Sequence, residues 1–122
     1  MKLKHDKVIV FHPGANGMGL AFDVFAKRGK RVSKKLREML YEANCDVVKK
    51  VLQENPDYEY LGSEDLMHTP AFNFGVIQLL IEFHKRGFEF VYYDISRKVG
   101  ISTMIRQLAM LHMLAKGVDK NE

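Results

Sequence analysis

In Lys7-Val8-Ile9-Val10-Phe11-His12-Pro13-Gly14-Ala15-Asn16-Gly17-Met18-Gly19 an apolar, β-branched run meets a break that carries three glycines. The run suits a pleated, buried strand. The glycines let the backbone turn sharply and approach a ligand closely. A second junction of this kind joins Phe88-Glu89-Phe90-Val91-Tyr92-Tyr93 to Asp94-Ile95-Ser96, which places a hydroxyl beside a carboxylate at the end of a strand. Ligands in open α/β folds gather beyond the carboxyl ends of strands, so the two junctions are where function is expected. The expected fold class is α/β, with a small parallel sheet flanked by helices.

The segments between the junctions read as follows. A helix is expected from Gly19 to Lys27, with Phe22, Phe25 and Ala26 on its inner face and Gly29 ending it. Ser33 is placed as an N-cap before Leu36, Leu40 and Ala43, and Val47, Val48, Val51 and Leu52 continue the helical spacing until Asn55-Pro56, giving two short helices. Pro56 to Pro70 is polar and reads as a loop. Thr69-Pro70 opens a helix lined by Phe72, Val76, Leu79, Leu80 and Phe83 and closed by Gly87. Phe88 to Tyr93 is a strand, and Ile101 to Lys116 a last amphipathic helix.

With 122 residues, 47% of them apolar and 28% charged, the chain reads as a single domain over 1–117 with a fraying tail at 118–122. Its apolar runs fall well short of the ~20 residues that cross a bilayer. Met1-Lys2-Leu3-Lys4-His5-Asp6 leads into a strand rather than a signal-peptide core, so a cytoplasmic protein is expected. The single Cys45 forms no internal disulfide and, next to Val47 and Val48, suits a small buried position. A net charge of +4 favours acidic or phosphorylated partners but serves solubility equally well.

The order of these pieces resembles the amino-terminal part of malonyl-CoA:acyl carrier protein transacylases and polyketide acyltransferase domains. Val10-Phe11-His12-Pro13-Gly14, followed by Gly17-Met18-Gly19, is similar to a shortened form of that family's first strand and glycine motif. Tyr41-Glu42-Ala43-Asn44 looks like its glutamate-alanine helix end, and Thr69-Pro70-Ala71-Phe72 like the start of the helix before its nucleophile strand. The resemblance covers about Val8 to Leu114 by order of elements. It implies fatty-acid or polyketide biosynthesis, an acyl carrier protein or another synthase component as partner, and a coenzyme A thioester as ligand, with no other cofactor.

The departures fall on the chemistry. Tyr93-Asp94-Ile95-Ser96-Arg97-Lys98 lacks the glycines that flank the family's serine, the position of its malonyl-binding arginine falls near Leu111 or His112, and its catalytic histidine segment has no counterpart. An unactivated hydroxyl is a weak nucleophile. The expectation is therefore a protein that acts by binding. The enzymatic alternative keeps Ser96 as acyl acceptor with Asp94 nearby and a base supplied by His12 or by another chain. A helix cap competes with that role for Ser96, and a local hydrogen-bonding role for His12.

Gly14, Ala15, Asn16 and Gly17 also fit a phosphate-binding loop, which makes a small nucleotide-binding protein a third reading, although a tight turn explains them as well. Lys27, Arg28, Lys30, Arg31, Lys34, Lys35 and Arg37 form the densest charge in the chain. They are a solvated face or a docking surface for an acidic carrier protein or the phosphates of coenzyme A. The run lacks the interleaved aromatics that stack bases, so nucleic acid is not expected. His5, His12, His68, His84 and His112 share no metal-ligand spacing with one another or with Cys45, and no metal is expected. Met104, Met110 and Met113 read as core or dimer packing, and a reduced core with exposed apolar faces is expected to self-associate.

Overall fold

A computed structural model describes residues 1–13, 20–66 and 70–93. In chain order these hold β1 (Lys7–Pro13), β2 (Leu20–Lys27), α1 (Lys34–Glu38), α2 (Asp46–Glu54), β3 (Tyr58–Leu66), α3 (Pro70–Lys85) and β4 (Glu89–Tyr92). The fold is α/β, as its sequence suggests, but the sheet is mixed rather than parallel. The strand order is β3-β2-β1-β4, with β1 antiparallel to β2, β2 antiparallel to β3, and β1 parallel to β4.

Two further expectations give way. Leu20–Lys27 is a strand, not a helix. Phe22, Phe25 and Ala26 fit a helical spacing, but the same segment also alternates. Phe22, Val24 and Ala26 enter one apolar cluster and Phe25 enters the other, so both faces of the segment are buried, which is what a central strand requires. Tyr58–Leu66 is likewise a strand where a loop is expected. It lies at one edge of the described sheet, where Glu59, Glu64 and Asp65 are tolerated because charge on an edge strand discourages further pairing. The second short helix, the helix Pro70–Lys85 and the last described strand fall where the sequence places them, but α1 ends at Glu38. Leu40 and Ala43, expected in that helix, lie beyond it, and Tyr41, expected at a helix end, is instead bridged to Ser63 of β3. Gly29 adopts φ +87, closing β2 rather than a helix. The helix expected at Ile101 to Lys116 lies outside the described residues.

The sheet divides the core in two. On one side Ile9, Phe11, Phe22, Val24 and Ala26 meet Leu36 of α1 and Leu79, Leu80, Ile81 and Phe83 of α3. Edge-to-face ring pairs tie this layer together, Phe83 on Phe88 at 4.9 Å and Phe11 on Phe90 at 5.3 Å between centroids. On the other side Val8, Val10 and Phe25 meet Val48 and Val51 of α2 and Tyr58 of β3. Asn55, buried after α2, accepts from the Leu3 N–H and donates to the Met1 carbonyl, both at 2.8 Å, pinning the first residues over this second layer. No helix among the described residues is long and apolar enough to cross a membrane.

Candidate functional site

Side chains alternate along a strand, so His12 shares a face of β1 with Val8 and Val10, the face covered by α2. Asp23 sits opposite Val10 on β2 and Ser63 opposite Asp23 on β3, so the three polar residues form a row across three strands at the carboxyl end of β1. All three are buried, Asp23 to 1% exposure. A carboxylate so placed is costly unless hydrogen bonds or opposite charge compensate it.

The compensation is visible. Ser63 Oγ donates to Asp23 Oδ1 at 2.5 Å, and the Tyr60 hydroxyl lies 2.6 Å from Ser63 Oγ. The Ala43 N–H donates to the Tyr60 oxygen at 2.8 Å. Because Ser63 spends its proton on Asp23, Tyr60 must donate to Ser63, and donors run in one direction from Ala43 to the carboxylate. Burial, the largest influence on Tyr60, raises its pKa and keeps it in the protonated form this chain of donors needs. Asp23 Oδ2 faces His12 Nε2 at 2.8 Å. The separation is that of an ion pair, but the two atoms lack the alignment of a hydrogen bond. Cys45, the N-cap of α2, completes the cluster, its sulfur within 4.8 Å of both a His12 ring nitrogen and an Asp23 oxygen.

A glycine holds this arrangement in place. Gly62 adopts φ +141 beside a bulge where β3 carries an extra residue against β2. Without a side chain there, the Leu40–Tyr41 segment can lie against the strand, and Tyr41 and Ser63 exchange backbone hydrogen bonds of 3.0 and 2.7 Å. Tyr41 in turn donates to Asp65 Oδ2 at 2.8 Å. Burial first, then that carboxylate, pushes the Tyr41 phenol well above its ordinary value.

The basic run is divided by the fold. Lys30 and Lys27 both reach Asp6, at 3.0 and 3.7 Å, and Lys34 approaches Glu38 at 4.0 Å. Arg31 and Lys34 line an open cavity of 560 Å³ together with Lys7 of β1 and Arg86 beyond α3, over a floor that includes Val32 and Phe88. Lys7 Nζ donates to the Arg86 carbonyl at 3.3 Å, and an Arg86 guanidinium N–H reaches Glu82 Oε2 at 2.7 Å, so both cations are held in place. The cavity lining contains no carboxylate. Arg37 lines a different cavity of 340 Å³ with Tyr41, Glu42 and Tyr60. Arg28 and Lys35 are exposed. Arg86 holds the Glu82 carboxyl below its usual range, and Lys35 lies near enough to add to that effect.

Of the residues singled out from the sequence, His12 and Cys45 are in the cluster, Cys45 half-buried rather than buried, and Arg31 and Lys34 are in the basic cavity. Asp94, Ser96, Gly14, Ala15, Asn16 and Gly17 lie outside the described residues. Asp23, Ser63, Tyr60 and Lys7 carry roles that sequence reasoning missed. One signal could have found Asp23, a lone charge inside the apolar run Leu20 to Ala26. Compared with protein-family models, curated proteins and solved structures, the chain matches none.

Proposed function

We propose that this protein acts by binding a phosphate-bearing ligand in the cavity walled by Lys7, Arg31, Lys34 and Arg86. The observation that carries the reading is the convergence of four cations from three separate stretches of chain on a cavity whose lining holds no acid. Such a wall focuses positive potential on an anion. Arg86 commits one nitrogen, Nη1, to the Glu82 carbonyl and Oε2 and has other donors in its planar fork, which suits the paired oxygens of a phosphate. The Ser33 hydroxyl at the rim adds a neutral donor.

Among phosphate ligands the acyltransferase resemblance favours a coenzyme A thioester, with an acyl carrier protein as the onward partner. Its support is the helix–strand unit Pro70–Tyr92. The segment expected as a helix after the first strand is instead β2, antiparallel to β1, with Pro13 opposite Leu20.

The test is thermal and calorimetric titration of the intact chain with coenzyme A, acetyl-CoA, ADP and inorganic pyrophosphate, in parallel with an Arg31→Glu/Lys34→Glu variant. Both positions are exposed, so the fold should survive the reversal. A ligand present at a hundred times its Kd should stabilise the wild type by about 2.7 kcal/mol. That gain should shrink with added salt and vanish in the variant. Absence of stabilisation by every phosphate compound would overturn the reading. Binding that survives the double reversal would overturn it too, and would direct attention to the glycine-rich sequence Gly14 to Gly19. Capture of a holo acyl carrier protein without any small-ligand binding would replace the small ligand with a protein surface.

A further inference from the structure

We propose that His12, Asp23 and Cys45 form a zinc site. The inference is independent of the anion cavity, which borders the opposite apolar layer through Val32 and Phe88.

The donor set is the first argument. Imidazole nitrogen, carboxylate oxygen and thiolate sulfur together suit Zn²⁺, whereas Mg²⁺ and Ca²⁺ take oxygen ligands alone. The three come from separate elements, His12 from β1, Asp23 from β2 and Cys45 from the cap of α2, and their ligand atoms all lie within 4.8 Å of one another. Tetrahedral zinc with bonds of ~2.0–2.3 Å places its ligand atoms ~3.3–3.6 Å apart. The His12–Asp23 separation of 2.8 Å would open slightly, and the sulfur would close by at most about an ångström, a side-chain adjustment.

The second argument is the state of Asp23. The residue is 1% exposed, its Oδ2 is fully enclosed, and that oxygen accepts no aligned hydrogen bond among the described residues although it faces His12. Its other oxygen is fixed by Ser63, itself fixed by Tyr60. A metal-binding carboxylate is oriented in this way, one oxygen held by outer-shell donors and the other left for the ion. Three protein ligands leave a fourth position for water or another donor. Binding releases the thiol proton to solvent, so uptake of metal strengthens as pH rises.

The experiment uses the full, reduced chain stripped of metal, titrated with Co²⁺ as a spectroscopic substitute and then with Zn²⁺ in competition. The expected result is one Co²⁺ per chain, with a sulfur-to-cobalt charge-transfer band and the intense visible bands of a tetrahedral site, all displaced by Zn²⁺. Cys45 is the only cysteine, so Cys45→Ser should abolish the charge-transfer band. Ser63→Ala should weaken metal affinity about 10–100-fold, as loss of an outer-shell partner does. Far-ultraviolet circular dichroism establishes that each variant is folded. Should Asp23→Asn not fold, Cys45→Ser at its half-buried cap position carries the test. A folded wild-type chain that takes up no Co²⁺ or Zn²⁺ would overturn the proposal. So would a charge-transfer band that persists in Cys45→Ser, or Zn²⁺ affinity unchanged in a folded Asp23→Asn variant.

Discussion

Replacing Gly62 with alanine probes the joint between the fold and the buried cluster. At φ +141 the residue occupies backbone space that side chains disfavour. A Cβ built there would lie 2.5 Å from Leu40 Cβ and 3.3 Å from the Tyr41 carbonyl oxygen. Leu40 Cβ is fixed to its backbone, so relief requires the Leu40–Tyr41 segment to retreat against the paired hydrogen bonds between Tyr41 and Ser63. The backbone strain is worth ~1–3 kcal/mol and the overpacking a further ~1–3, offset by ~0.4–1 from the stiffer unfolded chain. The net loss is ~1–5.6 kcal/mol, a substantial share of the ~5–15 kcal/mol by which a domain is stable. Gly29 and Gly87 provide the comparison, since they adopt φ +87 and +88 but face open space. Alanine at either should cost only the left-handed strain of ~1–2 kcal/mol less the same offset. Urea unfolding followed by circular dichroism reads all three. Gly62→Ala no more costly than Gly29→Ala would refute the claim that close approach of Leu40–Tyr41 fixes this glycine.

Two further outcomes follow from individual contacts. Burial, then the neighbouring Asp65 charge, raises the Glu64 pKa, so the folded state holds that proton more tightly than the unfolded chain does. The contribution is complete below the unfolded carboxylate range and is lost as pH rises through the folded value. Glu64→Gln should therefore raise Tm at neutral pH and leave it unchanged in acid, and a variant less stable than wild type at neutral pH would contradict the sign. Asn55→Ala removes three hydrogen bonds of 2.8 Å, to Leu3, Met1 and Val51, and should cost ~1.5–4.5 kcal/mol at ~0.5–1.5 each. Amide exchange at Leu3 should accelerate in step, and unchanged exchange would show that Asn55 does not pin the amino-terminal segment.

The parts of the fold legible in the sequence are those where one periodicity stands alone. Val8 to Phe11 is too short and too β-branched for a helix. The spacing of Val76, Leu79, Leu80 and Phe83 fits only a helix. Ser33 is recognisable as a cap, and its Oγ accepts from the Leu36 N–H at 3.4 Å. Legibility fails where two templates fit. In Leu20 to Lys27 apolar residues fill both faces, so helical and alternating spacings score alike, and only the partners β1 and β3 decide between them. In Tyr58 to Leu66 the charges that mark a loop sit on a strand because an edge allows them.

The misreading of β2 also hides the cluster. In a helix Asp23 would face solvent as an ordinary charge. In a strand it must face one of two buried layers, and its nearest polar neighbours are then set by register rather than by sequence distance. That register brings Ser63, forty residues away, directly opposite, and it makes His12 a diagonal neighbour on β1. Cys45 reaches the same point only because α2 packs on that face of the sheet. Metal-ligand spacing along the chain could not reveal this set, since each donor lies on a different element and none is within ten residues of another. The basic cavity was half visible for the opposite reason. Arg31 and Lys34 belong to a run that composition detects, whereas Lys7 and Arg86 join it through the fold alone. In both places, the residue that turns a pattern into a site comes from a strand or helix end distant in sequence.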